Sequence, residues 1–185
     1  MKALPPQNII HWIKIYILYH KSFPANEKKP FSLILFTYRK GRTDVWYLSY
    51  KGHFAGLAIT INSEDTILLD YFAISDNMRG HGIGSRVLRS LQHHYAPKGL
   101  LIEIESCTPD ATNLPERKRR KEFYLRNRML PLNIDVLLFG VEMELLGYNC
   151  QIDFAQYRAL YQDNYGRLFA KHVKKRSNST IISNK

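Results

Sequence analysis

The chain has 185 residues, of which 45% are hydrophobic and 23% charged, with a formal net charge of +11. That length closes one apolar core of ordinary size, and the balance excludes a wholly disordered chain. The positive excess favours anionic ligands (nucleotide, coenzyme or nucleic acid) without choosing among them.

Ile9, Ile13, Tyr16 and Ile17 recur at helical spacing and predict an amphipathic helix from about Gln7 to His20, its apolar stripe packed inward. The apolar stretch Ile9 to Tyr19 is broken by His11 and Lys14 and is too short to span a bilayer. No small-residue cleavage site follows it, so a soluble, cytoplasmic protein is expected. A polar, proline-bounded loop covers Ser22 to Pro30. Phe31 to Arg39 suits either a buried strand or a helix, and Pro30 before it with Gly41 behind it selects the helix.

From Val45 the pattern changes. Val45–Tyr50, His53–Ile61 and Thr66–Ile74 are rich in β-formers and separated by Lys51-Gly52 and Asn62–Asp65, which predicts an antiparallel three-stranded meander. Ser85 to Tyr95 reads as a helix with Val87, Leu88, Leu91 and Tyr95 on one face, and Leu100–Glu105 as the next strand. A basic helix spans about Leu114 to Asn127. Two strands follow, Leu132–Leu138 and Val141–Leu146, turned at Phe139-Gly140. Asp153 caps a last helix whose stripe is Phe154, Tyr157, Leu160, Tyr161 and Tyr165, ending at Gly166. We expect one domain over residues 1–170 and a basic, disordered tail over 171–185.

The segment with the clearest chemistry is Arg79-Gly80-His81-Gly82-Ile83-Gly84, which joins a strand to a helix. Glycines let the backbone approach a ligand closely. The first helical turn leaves N–H groups without intrahelical partners, and the helix dipole adds positive potential, so a pyrophosphate is the natural occupant. Arg79 can add a charged hydrogen bond and Ser85 a hydroxyl. A dinucleotide-binding fold is the competing reading, since Glu103 and Glu105 end the next strand at a suitable distance. It is discounted because the third glycine falls at Ser85 or Val87 and an antiparallel meander precedes the motif.

At these residues the sequence resembles the GNAT acyltransferase superfamily. Leu69-Asp70-Tyr71-Phe72-Ala73-Ile74 followed by Arg79-x-x-Gly82-x-Gly84 is similar to that family's coenzyme-binding strand and pyrophosphate loop. Phe123-Tyr124, with Asn127 three residues on, resembles its late helix carrying an aromatic hydroxyl. Asn113, Arg117–Arg120 and Glu27-Lys28-Lys29-Pro30-Phe31 resemble one bacterial branch. The resemblance covers about Met1 to Leu146. It implies an α/β fold with a mixed, centrally antiparallel sheet, helices on both faces, and a splay between the parallel strands Thr66–Ile74 and Leu100–Glu105.

What the resemblance implies for chemistry is N-acetyl transfer from acetyl-CoA to a primary amine. Phe72, Ala73 and Ile74 would bind the pantetheine arm, and Arg79, Gly80, His81, Gly82, Ile83, Gly84 and Ser85 the pyrophosphate. Asn113 and Arg120 are further expected coenzyme contacts. Tyr124 is the expected general acid for the leaving thiolate, since thiol and phenol pKa values of about 8.5 and about 10 lie close together. Glu105, Glu103 and Asp70 are candidates for the base. Glu105 is preferred because it lies nearest the strand end, and a water relay is the alternative. Some members carry a glutamate on the coenzyme-binding strand where this chain has Leu68.

Cys107 is read as an inert thiol rather than an acyl carrier, and with Cys150 it matches no zinc spacing. His53, His81, His93 and His94 lack metal-ligand spacing, and no metal is expected. Arg117, Arg120, Lys121, Tyr124 and Arg128 fall on one helical face, able to meet coenzyme phosphates or an anionic acceptor. A nucleic-acid module would want this basic character plus a recognisable binding fold, which the sequence lacks. A coenzyme-binding sensor without catalysis is the remaining alternative. The acceptor and the oligomeric state, a homodimer included, stay open.

Overall fold

Asn8 starts the first helix, where its side chain accepts the N–H of His11 and satisfies a donor that the helix start leaves free. The computed structural model describes residues 1–25 and 27–176, and this helix, α1, spans Ile9–Ser22. Helix α2 (Phe31–Arg39) starts directly behind Pro30, as the flanking proline and glycine indicate. A short strand that the sequence did not suggest, β1 (Lys2–Leu4), precedes both.

The meander forms as expected, with β2 (Thr43–Tyr50), β3 (His53–Asn62) and β4 (Thr66–Ile74). Helix α3 (Ile83–Tyr95) leads to β5 (Gly99–Glu105), and α4 (Leu114–Arg126) to the hairpin β6 (Leu130–Leu138) and β7 (Val141–Tyr148). Helix α5 (Phe154–Tyr165) carries a full capping box between Asp153 and Gln156, and α6 (Arg167–Ala170) and β8 (Val173–Lys175) complete the described chain. The sheet has eight strands in the order β1-β2-β3-β4-β5-β7-β6-β8. Among the described residues only β4 and β5 are parallel neighbours.

Both faces of the sheet are covered. On one, Val87, Leu88 and Leu91 of α3 and Tyr124 of α4 pack on Leu69, Leu100, Ile102 and Ile104. On the other, Tyr157, Leu160 and Tyr161 of α5 meet Leu68, Leu101 and Leu145, while Ile15, Tyr19 and Ile34 of α1 and α2 meet Val45, Leu57 and Tyr71. No helix among the described residues is long and apolar enough to cross a membrane.

Two irregularities shape the centre of the sheet. Strands β4 and β5 pair only at Thr66↔Gly99, Ile67↔Leu100 and Leu68↔Leu101, then part. Just past that point Leu69 pairs with Thr60 and Tyr71 with Ile59, so Asp70 is an extra residue, a β-bulge. The bulge resets the alternation of side chains. Leu69 and Phe72 face α3 and α4, whereas Tyr71 joins the cluster beneath α1 and α2.

Three expectations need correction. Ile9, Ile13, Tyr16 and Ile17 are exposed, and Ile15, Leu18 and Tyr19 are the buried stripe of α1. Both sets have helical spacing, and the hydroxyl of Tyr19, donating to the Lys29 carbonyl at 2.8 Å, holds the second set inward. The region after Ala170 begins with β8 in antiparallel register on β6, so the expected tail does not start at 171. Ser177–Ser179 lie outside the described residues. Arg128 has φ 65° and stands beyond the end of α4, off the face it was assigned to.

Candidate functional site

After β4 the chain makes a single 3₁₀ turn, Asp76–Met78, and enters the glycine segment. Gly80 and Gly82 have φ of 80° and 68°, a left-handed conformation that side chains with a Cβ resist. Gly82 is the N-cap of α3, and the first back-bond runs from the Arg86 N–H to the Gly82 carbonyl at 3.2 Å. Among the described residues the N–H groups of residues 80–85 therefore find no backbone acceptor, and those of the first helical turn are left for a ligand. Arg79 donates from Nε to the Ile74 carbonyl at 3.2 Å and pairs with Asp76 at 3.1 Å, closing the end of β4.

Across from this turn, α4 presents Phe123 and Tyr124. A Cβ on Gly84 would sit 3.2 Å from the Phe123 ring, so that glycine lets α3 and α4 approach. Tyr124 is 5% exposed, and its hydroxyl makes no hydrogen bond among the described residues. Burial raises its pKa well above the ordinary phenol value, partly countered by Arg120, so the hydroxyl is held protonated.

Charged side chains crowd the space opened where β4 and β5 part. Glu105 is gripped by Arg117 and Arg120, each at 2.8 Å. Asn113 accepts Arg117 Nε at 2.7 Å and holds that guanidinium in place. Lys121 pairs with Glu144 at 2.6 Å. Asp70, on the bulge, pairs with buried Lys29 at 2.6 Å and accepts the Tyr165 hydroxyl at 3.2 Å. The Lys29 ammonium also lies 4.8 to 5.3 Å from the ring centres of Tyr165, Tyr161 and Tyr71. Among the described residues Glu103 makes no ion pair. It accepts hydroxyls from Tyr157 at 2.6 Å and Tyr161 at 2.9 Å. Burial, and then the Asp70 charge, pushes its carboxyl up to about 7, against the lowering effects of Lys29 and the two tyrosines.

Lys29, Asp70, Glu103, Glu105, Asn113, Arg120 and Tyr124 share one cavity of about 1020 Å³, while Arg117, Lys121, Glu144, Tyr157 and Tyr165 support it from behind. It passes through the split sheet, from Phe72, Ile74, Ile102, Phe123 and Tyr124 on the α3/α4 face to Leu138, Val141, Met143 and Tyr161 on the α5 face. Of the residues the sequence singled out, Phe72, Ala73, Ile74, Arg79, Gly80, Gly82, Ile83, Gly84, Ser85, Glu105, Asn113, Arg120 and Tyr124 all line it. His81 does not, because its ring Nδ1 turns back to the Arg79 carbonyl at 2.8 Å. Arg117 and Lys121 are engaged by acids of this chain, so the basic face of α4 is largely spent inside the fold.

Glu27, Lys29, Phe23, Phe139 and Tyr161 also line the cavity without having been picked out as site residues. Lys29 reaches it because its N–H donates to the Tyr71 hydroxyl at 2.9 Å, which in turn donates to the Glu27 carbonyl at 3.0 Å. The Glu27–Phe31 segment was the one available signal.

The sequence profile described as the acetyltransferase (GNAT) family matches residues 12–123. Comparison with curated protein sequences gives no significant match. Among solved structures, a protein described as a GNAT-family acetyltransferase from Bacteroides thetaiotaomicron aligns with TM-score 0.74 at 17% identity, over 92% of this chain and 99% of that one. A Bacillus subtilis acetyltransferase in complex with CoA aligns with TM-score 0.56 at 12% identity, over 81% and 97%. A GNAT acetyltransferase from Elizabethkingia anophelis with acetyl-CoA bound aligns with TM-score 0.51 at 14% identity, over 69% and 95%. At these identities the likeness is one of fold.

Proposed function

Because the chain belongs to the GNAT acetyltransferase family, we propose that it moves an acetyl group from acetyl-CoA to a primary amine by direct attack within a ternary complex. The observation that carries this reading is the meeting of three elements in one cavity. They are the unpaired edge of β4 beyond Leu68, the bare N–H groups of residues 80–85, and the free hydroxyl of Tyr124.

Each element has a task. The N–H groups at the start of α3 take the pyrophosphate, with Arg79 and Ser85 beside them. The open edge of β4 at Phe72, Ala73 and Ile74 receives the pantetheine as a strand would, and an N–H there meets the thioester oxygen where negative charge develops. Acetyl-CoA supplies the activated acyl group. The amine nitrogen forms the amide bond as the carbon–sulfur bond breaks, and Tyr124 gives its proton to the departing thiolate. Holding both reactants in one cavity supplies much of the rate.

For the proton leaving the amine, Glu103 is the better placed carboxylate. Two guanidinium groups occupy both oxygens of Glu105, whereas Glu103 has no ion-pair partner among the described residues and a carboxyl pushed up to about 7. We assign the base to Glu103 and give Glu105 the task of orienting Arg117 and Arg120. Thiol release from acetyl-CoA across a panel of amines tests the reading, with wild type compared against Tyr124→Phe. No release with any amine overturns it.

A further inference from the structure

The part of the cavity on the α5 face has a composition of its own. Leu138, Val141 and Met143 of the β6–β7 hairpin, Phe139 at its turn, and Phe23-Pro24 after α1 supply apolar walls. Phe139 has φ 49° and Gly140 φ 86°, so both central residues of the hairpin turn are left-handed. Gly140 suits that conformation. A bulky aromatic at the first position opposes it, since such turns favour asparagine, aspartate or glycine there. Phe139 is kept in place by stacking on His172, with ring centres 5.2 Å apart, and by an edge contact with Phe169 at 5.9 Å. A strained backbone that carries a ring into a cavity is a feature to explain by what the ring touches.

The charges on this side are nearly balanced. Asp70 is matched by Lys29, and the Glu105 carboxylate by Arg117 and Arg120. Glu27 makes no ion pair among the described residues. Its carboxyl is raised by burial and by Glu105, and lowered by the nearby Arg120 and Arg117. Together, Glu27, Glu105 and the two arginines are formally neutral. Asp70, Glu103 and Lys29 leave one negative charge, on Glu103. The pocket thus offers one uncompensated carboxylate for one ammonium, surrounded by hydrocarbon and aromatic surface.

We propose that the acceptor is a monocationic amine carried on an apolar or aromatic body, an arylalkylamine in chemical class, with Phe139 as the wall that selects it. This rests on the amine-acetylating reading above. The ammonium meets Glu103 and loses its proton there, while the body packs on Phe139 and the β6–β7 hairpin. A second ammonium would meet only Glu27, beside Arg117 and Arg120 whose charges already offset it, so removing that ammonium from water would go poorly compensated.

The experiment compares kcat/KM for 2-phenylethylamine, n-butylamine and spermidine, with acetyl-CoA binding measured separately by calorimetry. The expected result is 2-phenylethylamine favoured over spermidine by about tenfold or more. The informative variant is Phe139→Asn, because asparagine is at home in the left-handed turn position and keeps the hairpin while removing the ring. It should raise KM for 2-phenylethylamine about tenfold, affect n-butylamine less, and leave KM for acetyl-CoA within about twofold. Acetyl-CoA binding together with preferred acetylation of spermidine, or an unchanged KM in Phe139→Asn, overturns the proposal and leaves acetyl transfer standing. Absence of acetyl-CoA binding overturns both.

Discussion

The ammonium of Lys29 lies 2.6 Å from the carboxylate of Asp70, the one residue of β4 that the bulge leaves without a partner strand residue. Both side chains are almost wholly buried, so the pair joins the loop before α2 to the floor of the cavity in a poorly solvated place. Replacing Lys29 by Met strands the Asp70 charge beside Glu103. A loss of about 3–5 kcal/mol in urea unfolding is expected, since a buried ion left alone forfeits its solvation and gains nothing in return. Adding Asp70→Asn to the same chain should recover part of that loss.

Glu103 ties stability to pH. Its carboxyl is raised from 4.5 to about 7 by burial and by Asp70. Between those values the folded chain keeps a proton that the unfolded chain has released, so the contribution favours folding at low pH and is lost as pH rises through the window. Thermal melting of Glu103→Gln against wild type should show this decline in the wild type and its absence in the variant.

The same group sets the rate profile in our proposal. Amine acetylation should rise with pH around 7 as Glu103 ionises. Glu103→Gln should lose that limb with a fall in kcat of about a hundredfold or more. In Glu105→Gln the limb should persist, because that residue holds arginines rather than the transferred proton. If Glu105→Gln abolishes the limb instead, the assignment of the base is reversed.

Tyr124 is the cleanest position to test by deletion of one atom. Its hydroxyl supports no hydrogen bond among the described residues, so Tyr124→Phe should leave thermal stability and acetyl-CoA affinity close to wild type. The fall in kcat should be about a hundredfold or more if the phenol donates to the leaving thiolate. Stopped-flow release of thiol at saturating acetyl-CoA measures it.

At the glycine turn, Gly82→Val puts a β-branched residue at φ 68°. No neighbour lies within 4 Å of the added Cβ, so the penalty falls on the backbone and on the N–H array it aims. Acetyl-CoA affinity should drop by about tenfold or more by calorimetry. Gly56→Ala differs in kind. Its Cβ would run into the Ala73 carbonyl oxygen, prising β3 from β4, and the expected readout is loss of folded protein.

Much of this was readable from residue order. The meander, the glycine turn at a helix start and the capped last helix each rest on local rules, in which turn residues and apolar period act within a few positions. Long-range partners were not readable. Tyr157 and Tyr161 look like part of a plain apolar stripe, yet their hydroxyls hold Glu103 across 54 and 58 residues of sequence. Lys29 looks like a loop lysine and is buried among three tyrosines. On α1, two apolar stripes of equal period compete, and only the partners each one meets decide which faces inward. Nor was the bulge at Asp70 readable, because an inserted residue leaves no mark in composition.

That insertion makes the lining of the cavity a matter of phase. Removing Asp70 altogether would make Leu69 and Tyr71 neighbours on an unbroken ladder and leave both on the faces they hold now. Drawing Asp70 into the ladder as an ordinary strand residue would instead exchange the sides of everything from Tyr71 to Ile74 relative to Leu68. The aromatic tether of the Glu27–Lys29 segment would turn toward α3, and Phe72 would turn toward α1. The ion pair that keeps Asp70 out of the ladder thus helps determine which chemistry each wall of the channel presents.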